Sequence, residues 1–188
     1  IEREKITTFS GVPSMSRELL NFPGIERRDL SSLLNFGYGG APAAPELLRL
    51  IKSRAPSAGV LNGWGITETS SGISSIAGEE YARKPDSVGR PSAVCDVKVV
   101  DDAGKEWPPG EQGELWVRGP NVVKGYWNNP EASAKSFTNG WFHTGDVGKI
   151  DDDGFIYVLD RLKDMIIRGG ENVYCAEVEA ILVEHPLV

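Results

Sequence analysis

Cysteine and histidine are scarce in this sequence, which has two of each among its 188 residues. Cys95 and Cys175 lie far apart, and so do His143 and His185. Their spacing matches neither a disulfide framework nor the ligand pattern of a zinc site. The scarcity therefore excludes a histidine-rich metal site and favours a reducing, cytosolic setting.

Positive charge is also in short supply, because 20 Lys and Arg stand against 27 Asp and Glu, for a formal net charge of -7. A chain with this balance lacks the basic surface that binds DNA or RNA, so we exclude nucleic acid as a partner. The sequence has no apolar run long enough to span a bilayer and no signal sequence. Peripheral membrane contact and homo-oligomer formation stay open.

Residues 1–86 alternate helical and strand-like patterns, in a chain whose 40% hydrophobic content is enough for a buried core. Apolar residues recur at helical spacing in residues 14–22 and 44–54. Residues 33–42 and 59–63 have the pattern of short buried strands that end in glycine turns. The alternation predicts a βαβ part of a parallel sheet, in which ligands bind beyond the carboxyl ends of the strands.

Residues 87–159 have the alternating apolar and polar pattern of antiparallel strands, interrupted by turn sequences such as DDAG and PPGEQG. We expect a small, distorted β-barrel-like subdomain here. Within it, Asn129 as a cap and Pro130 as the first helical residue predict a short helix. The turn Asp151–Gly154 predicts one further hairpin.

Residues 160–188 differ again. Met165–Ile167 form a short apolar segment that we expect to be buried, and a glycine turn separates it from a helix beginning near Ala176. The helix has apolar side chains at helical spacing, namely Val178, Ile181 and Leu182. We expect a hinge and the start of a small, truncated C-terminal α+β domain. The predicted fold class is therefore α/β plus β.

The stretch LNGWGITETSSG, from Leu61 to Gly72, places glycines around a tryptophan and follows them with oxygen-bearing side chains. Trp64 offers a flat aromatic face, while Thr67 and Glu68 offer oxygen atoms, a combination that suits a nucleotide. A plain turn after a buried strand, with Thr67 capping a helix and Glu68 near its positive end, would use the same residues. The Walker motif and the dinucleotide fingerprint are both absent.

Six blocks of sequence resemble the adenylate-forming superfamily of acyl-CoA synthetases, luciferases and peptide-synthetase adenylation domains. They are GYGGAP (37–42), NGWGITE (62–68), SVGRP (87–91), GELWVRGPNVVKGYWNNPEA (113–132), WFHTGD (141–146) and DRLKDMIIRGGENVYCAEVE (160–179). The resemblance covers nearly the whole chain from Gly37 onward. WFHTGD and GGENVY are most similar to acyl-CoA or aryl-CoA synthetases.

The resemblance implies a nucleotide site built on the NGWGITE loop. Asn62 would bond the adenine amino group, and Trp64 would lie against the base. Thr67 would bond the phosphate, and Glu68 would hold Mg²⁺, which prefers oxygen ligands. Gly39, Gly40 and Ala41 would let the backbone approach the adenine. Gly63 is a further position expected to bind the nucleotide.

The later blocks imply further roles. Asp146 would accept hydrogen bonds from both ribose hydroxyls, although aspartate is also common in plain hairpin turns. Arg161 would reach the ribose and phosphate, with a surface salt bridge as the alternative. Lys163 matches the hinge about which the small C-terminal domain of these enzymes rotates. The loop that approaches the pantetheine of CoA is matched by Gly169 and Gly170.

The implied activity is that of an ATP-dependent acyl-CoA synthetase, which uses ATP, Mg²⁺ and CoA to activate a carboxylic acid. The small residues of SSGISS (70–75) indicate an open channel for a fatty or other bulky acid. An adenylation domain that loads a carrier protein, a luciferase, a non-catalytic nucleotide-binding module and a structural β-rich protein stay as alternatives. The superfamily's phosphate loop and adenylating lysine would lie outside this chain. We therefore expect an internal fragment without synthetase activity of its own.

Overall fold

The computed structural model describes residues 1–41, 43, 45–169, 171–182 and 185. Ten of the twelve described strands form two five-stranded sheets, and a two-stranded hairpin follows them. No helix among the described residues is both long enough and apolar enough to cross a bilayer.

The first sheet has the strand order β1-β2-β3-β4-β5, and its first three strands are parallel. Its strands are β1 Thr8–Gly11, β2 Asn35–Gly39, β3 Gly59–Trp64, β4 Ser74–Ala77 and β5 Arg90–Pro91. The connecting helices are α1 Pro13–Leu20, α2 Pro45–Arg54 and α3 Gly78–Arg83. The predicted βαβ unit is confirmed, but β4 and β5 are antiparallel additions that the sequence did not indicate. A connection from β3 too short for a crossover helix forces β4 to run antiparallel.

The second sheet is antiparallel and has the order β10-β9-β7-β6, with β8 paired to β9. Its strands are β6 Asp96–Val100, β7 Gly113–Arg118, β8 Phe137–Thr138, β9 Trp141–Ile150 and β10 Ile156–Arg161. The predicted helix is present as α4 Pro130–Ser136, and Oδ1 of Asn129 caps it by accepting from Ala132 N at 3.0 Å. The predicted hairpin about Asp151–Gly154 joins β9 to β10.

The two sheets share a hydrophobic cluster, which brings their loops together. Trp64 at the end of β3 and Ile73 just before β4 pack there against side chains of the second sheet, namely Leu115 and Val117 of β7 and Ile156 of β10. Because buried apolar area stabilises this contact, the end of β3 is held against β7 and β10. The division of the chain into domains after residues 86 and 159 stays a prediction.

The last described elements are β11 Ile166–Arg168, β12 Glu171–Val173 and α5 Cys175–Leu182. The helix begins one residue from its predicted start. The expected burial of the Met165–Ile167 segment is wrong, because Ile166 is 55% exposed and Ile167 is 68% exposed. The hairpin β11-β12 forms no sheet with the other described strands.

Candidate functional site

A cleft of about 1060 Å³ lies where the two sheets meet. The first sheet supplies Gly40 and the loop of residues 65–71, and the second supplies Glu114 and residues 142–145. Arg161, the last residue of β10, closes one side. The cleft lies beyond the carboxyl ends of β2 and β3, where parallel strands place ligand sites.

A tight turn after β3 brings Thr67 and Glu68 to the cleft. It requires glycine at position 65, because a Cβ on Gly65 would lie 1.5 Å from the carbonyl oxygen of Ser71. The hydroxyl of Thr69, not that of Thr67, bonds the backbone of the turn, accepting from Ile66 N at 3.2 Å. The capping role considered for Thr67 is therefore wrong, and its side chain is exposed at the cleft.

Glu68 is held at both its backbone and its side chain. Its carbonyl oxygen accepts from Val123 N at 2.8 Å, and its Oε1 accepts from the Tyr126 hydroxyl at 2.8 Å. Tyr126 is itself anchored to α4, because its backbone N donates to Ser133 Oγ at 2.8 Å. No other hydrogen bond or ion pair reaches the Glu68 carboxylate from the described part of the chain, so Oε2 is left for a ligand.

The donor set fits Mg²⁺ better than a metal caged by the protein. No group of three or more His, Cys, Asp or Glu side chains among the described residues could hold a metal ion. Mg²⁺ commonly takes one or two carboxylates and completes its shell with phosphates and water. A single oriented carboxylate at Glu68 therefore suits a magnesium ion that arrives with a nucleotide.

Asp146 is 4% exposed and has a charged or polar donor on each carboxylate oxygen. Nε1 of Trp64 donates to Oδ2 at 2.8 Å, and Nε of Arg161 lies 2.8 Å from Oδ1. Burial raises the pKa of Asp146, against the opposing effects of the Trp64 hydrogen bond and the Arg161 charge. Any ligand that reaches this carboxylate must share it with Arg161.

The position of Asp146 depends on a bulge in β9. The register of β9 against β7 shifts between Trp116 and Glu114, so residues 144–146 lie opposite Leu115 alone. The backbone of the bulge is satisfied locally, because Asp146 N donates to Thr144 Oγ1 at 3.0 Å and Leu162 N donates to the Gly145 carbonyl at 2.8 Å.

The sequence predicted that Trp64 lies against the base with its flat face, whereas the structure shows its ring packed in the core cluster shared by the two sheets and its N–H bonded to Asp146. Its contact with a nucleotide base stays a prediction. Asn62 donates its side-chain N–H to the carbonyl oxygen of Ser87 at 3.3 Å, which leaves Oδ1 as the acceptor that an adenine amino group would need.

Close backbone contacts and a positive φ favour small residues near the ends of β2 and β3. A Cβ on Gly39 would lie 2.5 Å from the carbonyl oxygen of its strand partner Gly63. Gly40 has a φ of +77° and lines the cleft, and Ala41 is exposed beside it. Of these four positions Gly40 alone lines the cleft, and the contact of all four with the nucleotide stays a prediction.

Lys163, expected at the hinge, and Gly169, expected near CoA, do not line the cleft. Lys163 is exposed in the turn of residues 162–164 between β10 and β11. Gly169 has a φ of +65° in the turn that follows β11. Gly170 lies outside the described residues. The roles of all three stay predictions.

The sequence patterns assigned no function to some residues of the cleft wall, although these residues lie within the six motif blocks. They include Glu114, Tyr126 and His143. The His143 ring stacks on Trp116, with centroids 3.9 Å apart and planes at 13°, and its buried Nε2 has no hydrogen-bond partner. Their contacts could not be read from the sequence, because they depend on how separate strands and loops are placed.

A cleft with this geometry, beside a glycine-rich βα sheet edge, fits a nucleotide, and comparison with known proteins agrees. A family model described as "AMP-binding enzyme" matches residues 1–127. The chain belongs to the AMP-binding enzyme family. The predicted membership of the adenylate-forming superfamily is thereby confirmed.

Relatives of this family member are similar over almost its entire length. Feruloyl-CoA synthase from Amycolatopsis is 44% identical over 186 residues, which cover 99% of this chain and 38% of the relative. The 2-succinylbenzoate-CoA ligase of Bacillus subtilis is 42% identical over 188 residues, which cover 100% of this chain and 37% of the relative. The chain thus spans less than half of the curated relatives that it matches.

Solved structures confirm the predicted α/β plus β fold class. An amide bond synthetase from Marinactinospora thermotolerans has a TM-score of 0.88 and 39% identity, over 99% of this chain and 38% of that one. The o-succinylbenzoate CoA synthetase of Bacillus subtilis, in complex with its acyl-adenylate intermediate, has a TM-score of 0.87 and 41% identity, over 99% and 37%.

Proposed function

We propose that the protein containing this chain is an ATP-dependent acyl-CoA synthetase. The observation that carries the proposal is a cleft lined by Glu68 and Arg161, with the buried Asp146 paired to Arg161 behind it, in a member of the AMP-binding enzyme family. These residues would supply a metal-binding carboxylate, a ribose-binding carboxylate and a cation for phosphate within a single site.

The reaction has two steps. A carboxylate oxygen of the acid attacks the α-phosphorus of ATP, forms the acyl-adenylate bond and expels pyrophosphate. The thiolate sulfur of CoA then attacks the acyl carbon, forming the thioester and releasing AMP. Activation is needed because a carboxylate is a poor electrophile, whereas AMP is a good leaving group.

The residues of this chain act mainly by position and charge. Glu68 would hold the Mg²⁺ that accompanies ATP, and that ion would neutralise charge on the phosphates. Asp146 would accept from the ribose hydroxyls, and Arg161 would place its guanidinium near the ribose and α-phosphate. Thr67, exposed at the cleft, would donate its hydroxyl to a phosphate oxygen.

We propose an aromatic carboxylic acid as the substrate. The relatives named above include enzymes of feruloyl-CoA and 2-succinylbenzoate, and a solved anthranilate CoA ligase with 32% identity has a TM-score of 0.88. They give no support to the fatty acid that the sequence had favoured. The SSGISS segment gives little support to the open acyl channel expected from its small residues. Its Ile73 and Ser74 are buried, and within the segment only Ser70 and Ser71 line the cleft.

An amine is a second candidate acceptor for the acyl group. The specific observation in its favour is the similarity to an amide bond synthetase, which is as high as that to CoA synthetases. Both reactions share the acyl-adenylate. They differ only in whether sulfur or nitrogen attacks the acyl carbon.

The test uses the full-length gene product with MgATP and a panel of aromatic and fatty acids. Acid-dependent exchange of radiolabelled pyrophosphate into ATP reports the first step, and mass spectrometry of products formed with CoA or with an amine reports the second. We expect exchange with at least one aromatic acid and a CoA thioester as product. Absence of exchange with every acid would overturn the proposal, and amide formation without thioester would favour the second candidate.

A further inference from the structure

Glu114 of β7 lies at the bulge of β9 that carries the buried Asp146. Its Oε1 accepts from the backbone N of Gly145 at 3.0 Å. Gly145 is the central residue of the bulge and has a φ of +69°. Glu114 therefore supplies the acceptor for the N–H at the centre of the bulge.

The other oxygen of Glu114 is also engaged. Nε1 of Trp116 donates to Oε2 at 2.7 Å. The Trp116 ring is in turn held by the stacked His143 and by Lys98, whose Nζ lies 5.0 Å from the ring centre. The N–H groups of Gly145 and Trp116 thus both donate to the Glu114 carboxylate. An ionised carboxylate only accepts hydrogen bonds, so it can satisfy both donors.

The bulge is also bonded to the segment that carries Arg161. Leu162 N donates to the Gly145 carbonyl, and Nη1 of Arg161 donates to the Thr144 carbonyl at 3.4 Å. A shift of the bulge would therefore move the carboxylate of Asp146 and the guanidinium of Arg161 together. Glu114, which also lines the cleft, is bonded to this unit through the Gly145 N–H.

We propose that Glu114 is a positioning residue that locks the bulge at Gly145 and so keeps Asp146 and Arg161 in their nucleotide-binding arrangement. This role rests on the proposed function. The role requires two acceptor oxygens on one side chain, one for Gly145 N and one for Trp116 Nε1. A residue that contributed only packing would not require them.

The test compares Glu114→Gln, Trp116→Phe and the double variant in the full-length gene product. A glutamine offers one oxygen and one amide NH₂, so in Glu114→Gln an N–H must face either Gly145 N or Trp116 Nε1. We expect AMP affinity, measured by calorimetry, to fall about tenfold or more, because a buried donor is left unpaired. Trp116→Phe alone should have a smaller effect. The matched control is Glu111→Gln, which makes the same change at an exposed residue.

The double variant should bind AMP better than Glu114→Gln alone. Trp116→Phe removes the donor that opposes the amide NH₂, so the glutamine oxygen can again accept from Gly145 N. Hydrogen exchange at the Gly145 amide can be measured without a ligand. The exchange should be faster in Glu114→Gln than in the wild type, and slower in the double variant than in Glu114→Gln.

A double variant that binds AMP no better than Glu114→Gln would overturn the positioning role. So would Gly145 exchange that is no faster in Glu114→Ala, which removes both acceptor oxygens. If the wild-type protein bound no AMP, that result would contradict the proposed function but not the structural role of Glu114. The Gly145 exchange rates would still decide whether Glu114 holds the bulge.

Discussion

The hydroxyl of Tyr126 donates a hydrogen bond to Oε1 of Glu68 over 2.8 Å, from a loop that lies far along the chain from the glutamate. The bond orients the carboxylate and leaves Oε2 for a ligand. Partners of this kind orient metal ligands, and their loss typically lowers metal affinity about 10–100-fold. The arrangement gives Tyr126 an orienting role toward the predicted metal ligand without making it a ligand itself.

We therefore expect Tyr126→Phe to lower the apparent affinity for Mg²⁺ by about tenfold, because Glu68 loses its orienting donor. The measurement is a magnesium titration of ATP binding by calorimetry. Tyr157→Phe is the matched control, since its hydroxyl also donates to a carboxylate, that of Asp151 at 3.0 Å. Equal magnesium affinity in wild type and Tyr126→Phe would show that the bond has no part in metal binding.

Asp146→Ala should weaken the binding of ATP and AMP by roughly two orders of magnitude or more. The change would delete the two predicted charge-assisted hydrogen bonds to the ribose, each worth about 1.5–3 kcal/mol. It also removes the partner of Arg161 and of Trp64. Calorimetric titration with AMP measures the effect, after circular dichroism has verified the fold. Unchanged nucleotide affinity in a folded variant would remove Asp146 from the site.

Gly65→Ala should destabilise the protein and distort the loop that bears Thr67 and Glu68. The added Cβ would lie 1.5 Å from the Ser71 carbonyl oxygen, so the backbone must move, at a cost of about 1–3 kcal/mol or more. Gly72→Ala is the control, because its Cβ would meet no atom within 4 Å. Thermal unfolding of the two variants should separate them clearly, and equal melting temperatures would contradict the crowding at Gly65.

The ion cluster beneath the β9-β10 turn should make stability depend on acid. Asp151 accepts from Lys84 Nζ at 2.5 Å and from Phe155 N at 2.9 Å. Burial acts to raise the pKa of Asp151, but these hydrogen bonds outweigh it, so the pKa is lowered. The stabilisation is complete above the usual aspartate pKa of about 3.9 and is lost as the pH falls through the lowered value.

Asp151→Asn should therefore lose stability at neutral pH and show a smaller further loss in acid than the wild type. Urea unfolding across a series of acidic buffers measures both effects. Asp152→Asn is the matched control, because it makes the same change at an exposed neighbour that has none of these hydrogen bonds. A wild-type acid transition that is preserved in Asp151→Asn would assign the acid sensitivity to other carboxylates.

Lys163→Pro should impair thioester formation more than acyl-adenylate formation. Proline fixes φ and restricts the preceding residue, which would hinder rotation at the predicted hinge. In and just after this turn, Leu162 N donates to the Gly145 carbonyl, and Asp164 N and Met165 N both donate to the Arg161 carbonyl. The change at Lys163 removes none of these donors. Single-turnover assays of each step test the prediction, with Lys163→Ala as the control that keeps the backbone free. Equal loss of both steps would argue against a hinge.

Local signals explain why much of the fold could be predicted. The helix α4 has its cap at Asn129 and a proline at its first position, so its start depends only on neighbouring residues. The β9-β10 hairpin follows in the same way from its Asp151–Gly154 turn. The exposure of Ile166 and Ile167 could not be predicted, because an apolar triplet does not reveal whether another element covers it.

The sequence by itself determined the family, the order of the elements and the loop that bears Thr67 and Glu68, because glycine turns and motif blocks are properties of short segments. Only the tertiary structure decided which side chains meet. The pairing of Trp64 with Asp146 depends on the packing of two sheets, and the pairing of Glu114 with Gly145 depends on a register shift between strands. A register shift is set by cross-strand packing and hydrogen bonding, so no short segment specifies it.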